Sequence, residues 1–468
     1  MSEAERLLPL LRQAADPAVV DAIERLIQEA PDHELNRVNA LAFAAKHGFD
    51  EEKVIAAFLH AARLGIFEMS WNVLCPGCGG VLDAATSLKS VDRAEYHCAL
   101  CAAGYEPTLD EMVEVTFTVS PRVRKIGAHD PDTLPMADYM RQIFWGSGVD
   151  LPDDLDERLE DIVLDAVELP PGERAILSLQ LPSEFVIVFE PITHSVQFID
   201  VKGEPTRERR SLTLVINQTH PPNETLVMQP GPLRITLENR TNRRVLPAVW
   251  VAGPELHQMM ERRRPFLTAK RLLTNQTFRD IYRTDTLDVD QRLKITSLTF
   301  LFTDLKGSTE LYERVGDLVA YDLVREHFRV LNDIVASESG AVVKTIGDAV
   351  MATFPTPDHA LSAALRMREA MRTLNDERGS EDLLLKIGIH EGPCLAVTLN
   401  DRQDYFGQTV NIASRVQGLA MSRAIFATGN VVEDPKASSI IESRGLKPMQ
   451  QTTALRGLND EYSVYEIP

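Results

Sequence analysis

No apolar run in this 468-residue chain approaches the ~20 residues that a membrane-spanning helix needs. Its opening, MSEAERLLPLLRQAADP, has neither the basic n-region nor the cleavage site of a signal peptide, so a cytoplasmic location is expected. Basic residues are short: 49 Lys and Arg stand against 69 Asp and Glu, a net charge of -20. That balance argues against general nucleic-acid binding, which needs clustered cations. It leaves room for a nucleotide whose charge is met by metal ions and a few local cations. Neither GxxxxGK[ST] nor GxGxxG follows a strand-like run, so P-loop and Rossmann readings fail. Cysteine is scarce as well. Of five, four form CPGC (75–78) and CALC (98–101), and Cys394 stands apart.

With 44% hydrophobic and 25% charged residues, the composition is that of a soluble globular protein long enough for roughly two to four domains. Residues 1–74 carry apolar side chains at helical spacing in LNRVNALAFAAKHG and DEEKVIAAFLHAARLGIF, each closing near a glycine, with Asp50 a candidate N-cap. Helices followed by the short strand FEMSWNVL suggest a winged-helix-like unit, whose acidic balance favours protein contacts over DNA. Residues 75–110 hold the two CxxC pairs, nineteen residues apart. In a reducing compartment that spacing predicts a structural zinc ribbon with Cys75, Cys78, Cys98 and Cys101 as ligands. Redox-active or merely buried thiols are the blander alternative. Gly77, Gly79 and Gly80 permit the tight turn around thiolate sulfur, and Cys394, in CLAVTL, is expected in a core.

Over 111–253 the texture changes to short strands, VEVTFTV, AILSLQL, EFVIVFEP, HSVQFIDV, SLTLVIN and GPLRITLEN, as in a β-sandwich with a helical insert. His194, His220 and His257 stand isolated and are expected as surface or satisfied residues. Residues 254–292 read as a basic-leaning helical connector. From 293 to 468 strands and helices alternate in βαββαβ order, with a strand pair expected in LLLKIGIHEGPCLAVTL. The expected fold class is α+β and multidomain, ending in a ferredoxin-like sheet with helices on one face.

Three segments of this last region carry chemistry. Asp304 ends an apolar strand in FTDLKGST (302–309), and Asp348 follows Gly347 at a hairpin turn in VKTIGDAVMATF (343–354). Paired carboxylates on neighbouring strand ends suit two hard divalent cations, Mg2+ or Mn2+, bridging a triphosphate. Gly307 lets the next backbone pass close to phosphate oxygens. In DYFGQTVNIASRV (404–416), Asn411 and Arg415 are four apart in an expected helix and project from one face. Either acid alone, in an ordinary turn, would say little. In this order, over about 170 residues, the motifs resemble the catalytic domain of class III nucleotide cyclases, and adenylate cyclases in particular.

The resemblance implies roles that the residues alone do not. It gives a metal contact to the carbonyl of Leu305 and base reading to Lys344 and Asp404. Adenine offers an acceptor at N1 and a donor at its 6-amino group, which suit an ammonium and a carboxylate; guanine in that pose mismatches both. ATP is the implied substrate. Asn411 would orient the ribose, Arg415 would stabilise charge developing at the α-phosphate, and Arg456 stands where many members hold the triphosphate with a lysine. The implied reaction releases cyclic AMP and pyrophosphate in a homodimer with two composite sites. One protomer would supply the metal acids and its partner the base-reading, ribose and transition-state groups. The stretch between Gly392-Pro393 and Asp404 is shorter than in mammalian relatives and resembles a bacterial subgroup with an abbreviated dimer arm. The regions before 293 then read as regulatory, through a ligand or partner the residues do not name. A weakened cyclase fold that binds nucleotide and signals is the alternative, against which the complete motif set argues.

Overall fold

The computed structural model describes residues 3–91, 95–217, 224–283, 287, 291–379, 381–420, 424–455, 457 and 461–468. It divides into two compact units: one is built from most of the chain up to Leu267, the other from Thr268–Pro468 with short stretches beginning at Ser87 and Thr108. Among the described residues no helix is long and apolar enough to cross a membrane.

The first unit begins with helices Glu3–Ala14, Pro17–Glu29, Ala40–His47 and Glu51–Leu64, which bury Leu11, Ile23 and Phe58. Asp50 caps the fourth helix, accepting from Lys53 N at 3.1 Å, and Gly65 closes it in the left-handed conformation at φ +81. The strand Phe67–Leu74 pairs with Val81–Ala85 on one side and Val113–Val119 on the other. This last strand, read above as the start of the β-rich region, instead joins the helical one. Buried polar groups hold it there: Asn72 Nδ2 donates to Glu114 Oε1 and to Thr116 Oγ1, both at 3.0 Å. Beyond it, one sheet holds Arg210–Ile216, Gly231–Asn239 and Arg174–Leu181. A second holds Leu226–Met228, Ser195–Val201, Phe185–Glu190, Ala248–Val251 and Val163–Ala166. Leu181, Val188, Ile199, Leu233 and Val249 place both sheets on one core.

The second unit opens with helices α1 (Ala269–Leu273) and α2 (Gln276–Ile281). The connector read over 254–292 is therefore not one element. Pro254–Glu261 lies in the first unit, and the side-chain caps of Thr268 and Asn275 break the rest into short helices. Next come β1 (Leu293–Leu305), α3 (Ser308–Val315), α4 (Asp317–Ser337), β2 (Ala341–Ile346), β3 (Ala349–Phe354), α5 (Pro357–Arg378) and β4 (Leu385–Leu399). These strands lie in the order β2-β3-β1-β4, all antiparallel, the split-βαβ arrangement.

The sheet then grows to eight strands. β5 (Arg402–Phe406) pairs with β4, and after α6 (Gln408–Leu419) come β6 (Ile425–Thr428), α7 (Gly429–Val432), α8 (Pro435–Ser443), β7 (Met449–Ala454) and β8 (Glu461–Ile467). The run read above as a strand pair is one strand of 15 residues. An irregularity in β1, between Ile295 and Leu298, absorbs Gly392-Pro393; the chain reverses only at Asn400-Asp401, with φ +52 and +57. Helices cover both faces rather than one. Leu301, Leu305, Ile387 and Ile389 enter a core with Leu331, Leu361, Val431 and Ile441 of α4, α5, α7 and α8. Alternation along the strands sends Asp304, Lys386, Gly388 and His390 to the opposite face. There α6 packs Ile412 and Val416 against Phe426 and Val464.

Two histidines of this unit are buried, His327 on α4 and His390 on β4, and burial pushes both down to about 4 from 6.5. Between those values the unfolded chain binds more protons than the native one, so stability is full above pH 6.5 and falls as pH drops towards 4. The unfolding midpoint of the full chain is expected to fall across that window. In His390→Gln, which keeps a hydrogen-bonding group opposite Thr428 Oγ1, the slope should be shallower. An identical slope would show that His390 does not contribute.

Candidate active site

Asp304 and Asp348 reach the same end of adjacent strands for a reason of register. Thr303 of β1 pairs with Val350 of β3, leaving Asp304 one step beyond and Asp348 in the two-residue turn Gly347-Asp348 just before β3. Gly347 supplies the φ of +65 that the turn needs. Burial raises the Asp304 carboxyl above the usual carboxylate range, and the nearby Asp348 charge raises it further. Lys386, opposite Asp304 in register with Nζ 3.6 Å from Oδ2, and a hydrogen bond with Gln417 oppose that shift. Asp348 Oδ2 is buried without a hydrogen-bond partner among the described residues. A buried, unpaired carboxylate oxygen beside a second carboxylate fits a divalent cation with oxygen ligands. The Leu305 side chain lies in the core, so a ligand could use only its main chain. Gly307, at φ +73, turns the chain into α3, where Leu311 N donates to its carbonyl at 2.9 Å.

Lys344 and Asp404 come from β2 and β5, and Lys344 Nζ lies 2.5 Å from Asp404 Oδ2. The Asp404 side chain is 9% exposed and its Oδ1 accepts from Tyr405 N at 2.8 Å; the lysine is 43% exposed. A donor and an acceptor thus stand side by side at a partly open position.

Asn411 is exposed and Arg415 half-buried on α6. A Cβ on Gly457 would lie 3.6 Å from Arg415 Nη2; Arg456 lies outside the described residues. The same helix carries Gln417 towards Asp304. Two residues along an α-helix are about 200° apart, so Arg415 projects from a side of α6 nearly opposite Gln417. Within one chain the structure joins Asp304 with Asp348, and Lys344 with Asp404.

The four cysteines also meet. Cys75, Cys78 and Cys98 are buried, Cys101 is half-buried, and all four sulfurs lie within 4.8 Å of one another. Cys75 Sγ–Cys101 Sγ and Cys78 Sγ–Cys98 Sγ are each 3.6 Å. A tetrahedral metal with bonds of about 2.3 Å requires sulfur–sulfur edges of roughly 3.8 Å, so the set fits a zinc-sized ion. Hydrogen bonding with Cys101, Cys78 and Cys98 holds Cys75 below the usual thiol range. Cys394 is buried and pushed up to about 12 by that burial. His257 Nδ1 donates to Gly253 O at 2.8 Å, His194 packs on Phe144 with ring centroids 5.7 Å apart, and His220 lies outside the described residues.

Residues 291–460 match the adenylate and guanylate cyclase catalytic domain, and residues 1–280 match a family of unknown function, DUF5939. The chain belongs to the DUF5939 family. Its C-terminal region is a class III cyclase catalytic domain. An adenylate cyclase of Anabaena cylindrica is 30% identical over 185 residues, covering 36% of this chain and 36% of that protein. Guanylate cyclase 32E of Drosophila melanogaster is 31% identical over 140 residues, covering 27% and 12%. The chain thus spans about a third or less of the length of these two curated relatives. The crystal structure of the adenylyl cyclase CyaB from P. aeruginosa aligns with TM-score 0.34 and 23% identity, over 38% of this chain and 96% of that one.

In the cyclase domain the sequence reading missed Lys386 and Gln417, which border Asp304. Lys386 looks like any strand lysine until the β1–β4 register sets it opposite the acid, and Gln417 gains its role from the crossing of α6. That crossing rests on Gly388, where an added Cβ would lie 2.1 Å from Gln417 N. Gly388→Ala is therefore expected to cost about 1–3 kcal/mol as α6 is forced outward. Denaturant unfolding of the full chain measures it, and undiminished stability would show that the helix gives way freely.

Proposed function

We propose that this protein is an adenylate cyclase, converting ATP to 3′,5′-cyclic AMP and pyrophosphate, with the DUF5939 region controlling the catalytic domain. The observation that carries the choice of ATP is the Lys344–Asp404 pair. Lys344 would donate to adenine N1 and Asp404 accept from the 6-amino group, whereas guanine would set N1–H against the ammonium and O6 against the carboxylate. Mismatched buried polar groups discriminate strongly. Asp304, Asp348 and the main chain of Leu305 would hold two Mg2+ or Mn2+ ions, which supply charge for the triphosphate and activate the ribose 3′-hydroxyl when bound. Asn411 would orient the ribose, and Arg415 would stabilise the charge growing on the α-phosphate. The bond from the 3′-oxygen to the α-phosphorus forms as the bond to the bridging oxygen of pyrophosphate breaks. Gly307 would admit phosphate close to the backbone, and Arg456 would bind the triphosphate.

The divergence of Arg415 from Asp304 around α6 supports composite sites in a homodimer, metal acids from one protomer and the remaining groups from its partner. Purified full-length protein with ATP and Mg2+ or Mn2+ is expected to release cyclic AMP. Asp304→Ala and Arg415→Ala proteins, each inactive, should recover about a quarter of parental activity after random subunit exchange, since half the dimers carry one intact site. Nucleotide binding without product would replace the reading with that of a nucleotide-binding signalling module. Exchange without recovery, with both variants folded, would place the two residues in one site.

The cysteine cluster supports a structural zinc, because four thiolates close the coordination sphere and leave no open position for chemistry. One zinc per chain is expected by metal analysis of protein purified without chelator. Cys75→Ser and Cys98→Ser should lose it and melt earlier; metal-free parental protein would end the assignment.

A further inference from the structure

The base-reading pair has a support that neither residue reveals. Arg279 of α2 donates from Nη2 to the carbonyl of Gln403 at 2.9 Å and reaches that of Val343 at 3.4 Å. These residues immediately precede Asp404 and Lys344. Val343 is also irregular: Val342 pairs with Ala352 and Lys344 with Met351, so Val343 is the extra residue of a β-bulge. Beside it, Val342 N donates to Gln276 Oε1 at 2.8 Å, so α2 holds both polar groups of the bulge edge. β2 is the outer strand of its sheet and β5 pairs only with β4 among the described strands, which leaves both carbonyls open to α2.

The bulge decides which way Lys344 faces. Side chains alternate along a strand, so loss of one extra residue in the register turns every following side chain to the other face. Lys344 would then leave Asp404. A guanidinium is a planar fork, able to hold two acceptors at a fixed separation where an ammonium acts as a point charge. Arg279 is half-buried; its Nη1 is buried without a hydrogen-bond partner among the described residues, and its Nη2 serves both carbonyls. We propose that Arg279 is a positioning residue for base selection, tying the Val343 bulge to Gln403 and so fixing the spacing of Lys344 and Asp404. This rests on the adenine-reading role argued above for that pair. Arg279 itself touches no nucleotide.

The test compares full-length parental protein with Arg279→Ala, Arg279→Gln and Lys344→Ala. It measures kcat and KM for ATP and for GTP, or the GTP inhibition constant where GTP is not turned over. Loss of charge-assisted hydrogen bonds predicts that the ATP-over-GTP ratio of kcat/KM falls about tenfold in Arg279→Ala, chiefly through the KM for ATP. Arg279→Gln, whose single amide can serve one carbonyl, should fall between, and it carries the comparison if the alanine variant does not fold. An unchanged ratio, or an equal loss with both nucleotides, overturns the proposal, because a merely structural arginine would weaken both alike. If Lys344→Ala itself leaves the ratio unchanged, the base-reading assignment fails instead. A shifted ratio in Lys344→Ala with parental ratios in both Arg279 variants confines the failure to Arg279.

Discussion

Helix α6 can lie on the sheet only because residue 388 has no side chain: the backbone of Gln417 occupies the place a Cβ would take. That approach organises the catalytic unit. It brings Gln417 to Asp304, buries Ile412 and Val416 against Phe426 and Val464, and fixes the direction in which Asn411 and Arg415 project. The opposite face of the sheet needs no such concession, since Leu301, Leu305, Ile387 and Ile389 meet ordinary apolar helix faces. One face is thus built for a core and the other for chemistry, and strand alternation keeps them apart.

Charge on the chemical face is balanced in two different ways. Asp304 and Asp348 lie close enough to repel, and Lys386 with Gln417 relieves only part of that repulsion, leaving Asp348 Oδ2 buried and unpaired among the described residues. Such an arrangement is poor for stability and suited to a cation. Lys344 and Asp404 instead satisfy each other, the lysine 43% exposed and the aspartate side chain only 9% exposed. A base admitted between them must therefore give Asp404 a donor in place of the ammonium, because a buried carboxylate left unpaired is costly.

The first unit follows the same division between local rule and long-range packing. Its sulfur cluster draws on a knuckle before Val81–Ala85 and on the hairpin Tyr96–Cys98 and Ala103–Tyr105, so four residues from two separate segments share one small volume. Its sheets share a core through Val188, Leu233 and Val249, which supply no titratable group.

By itself the sequence determined what is local. CxxC spacing, the Asp50 cap, the Gly347-Asp348 turn and the four-residue step from Asn411 to Arg415 are each written within a few positions, where turn and helix geometry leave little choice. The βαββ order of the catalytic sheet was legible because apolar period and turn residues change together there. The tertiary structure alone decided the rest. The Gly392-Pro393 pair gave no sign that an irregularity in β1 would absorb it, so one long strand looked like two. VEVTFTV carries the pattern of any strand, and its pairing with Phe67–Leu74, with the contacts of Glu114 and Thr116 to Asn72, assigns it to the helical region. Lys386 became a neighbour of Asp304 through strand register, and Arg279 reached Val343 and Gln403 across separations of 64 and 124 positions. The physical reason is that strand pairing and helix docking are set by the whole core, whereas a turn or a cap is set by the residues that form it.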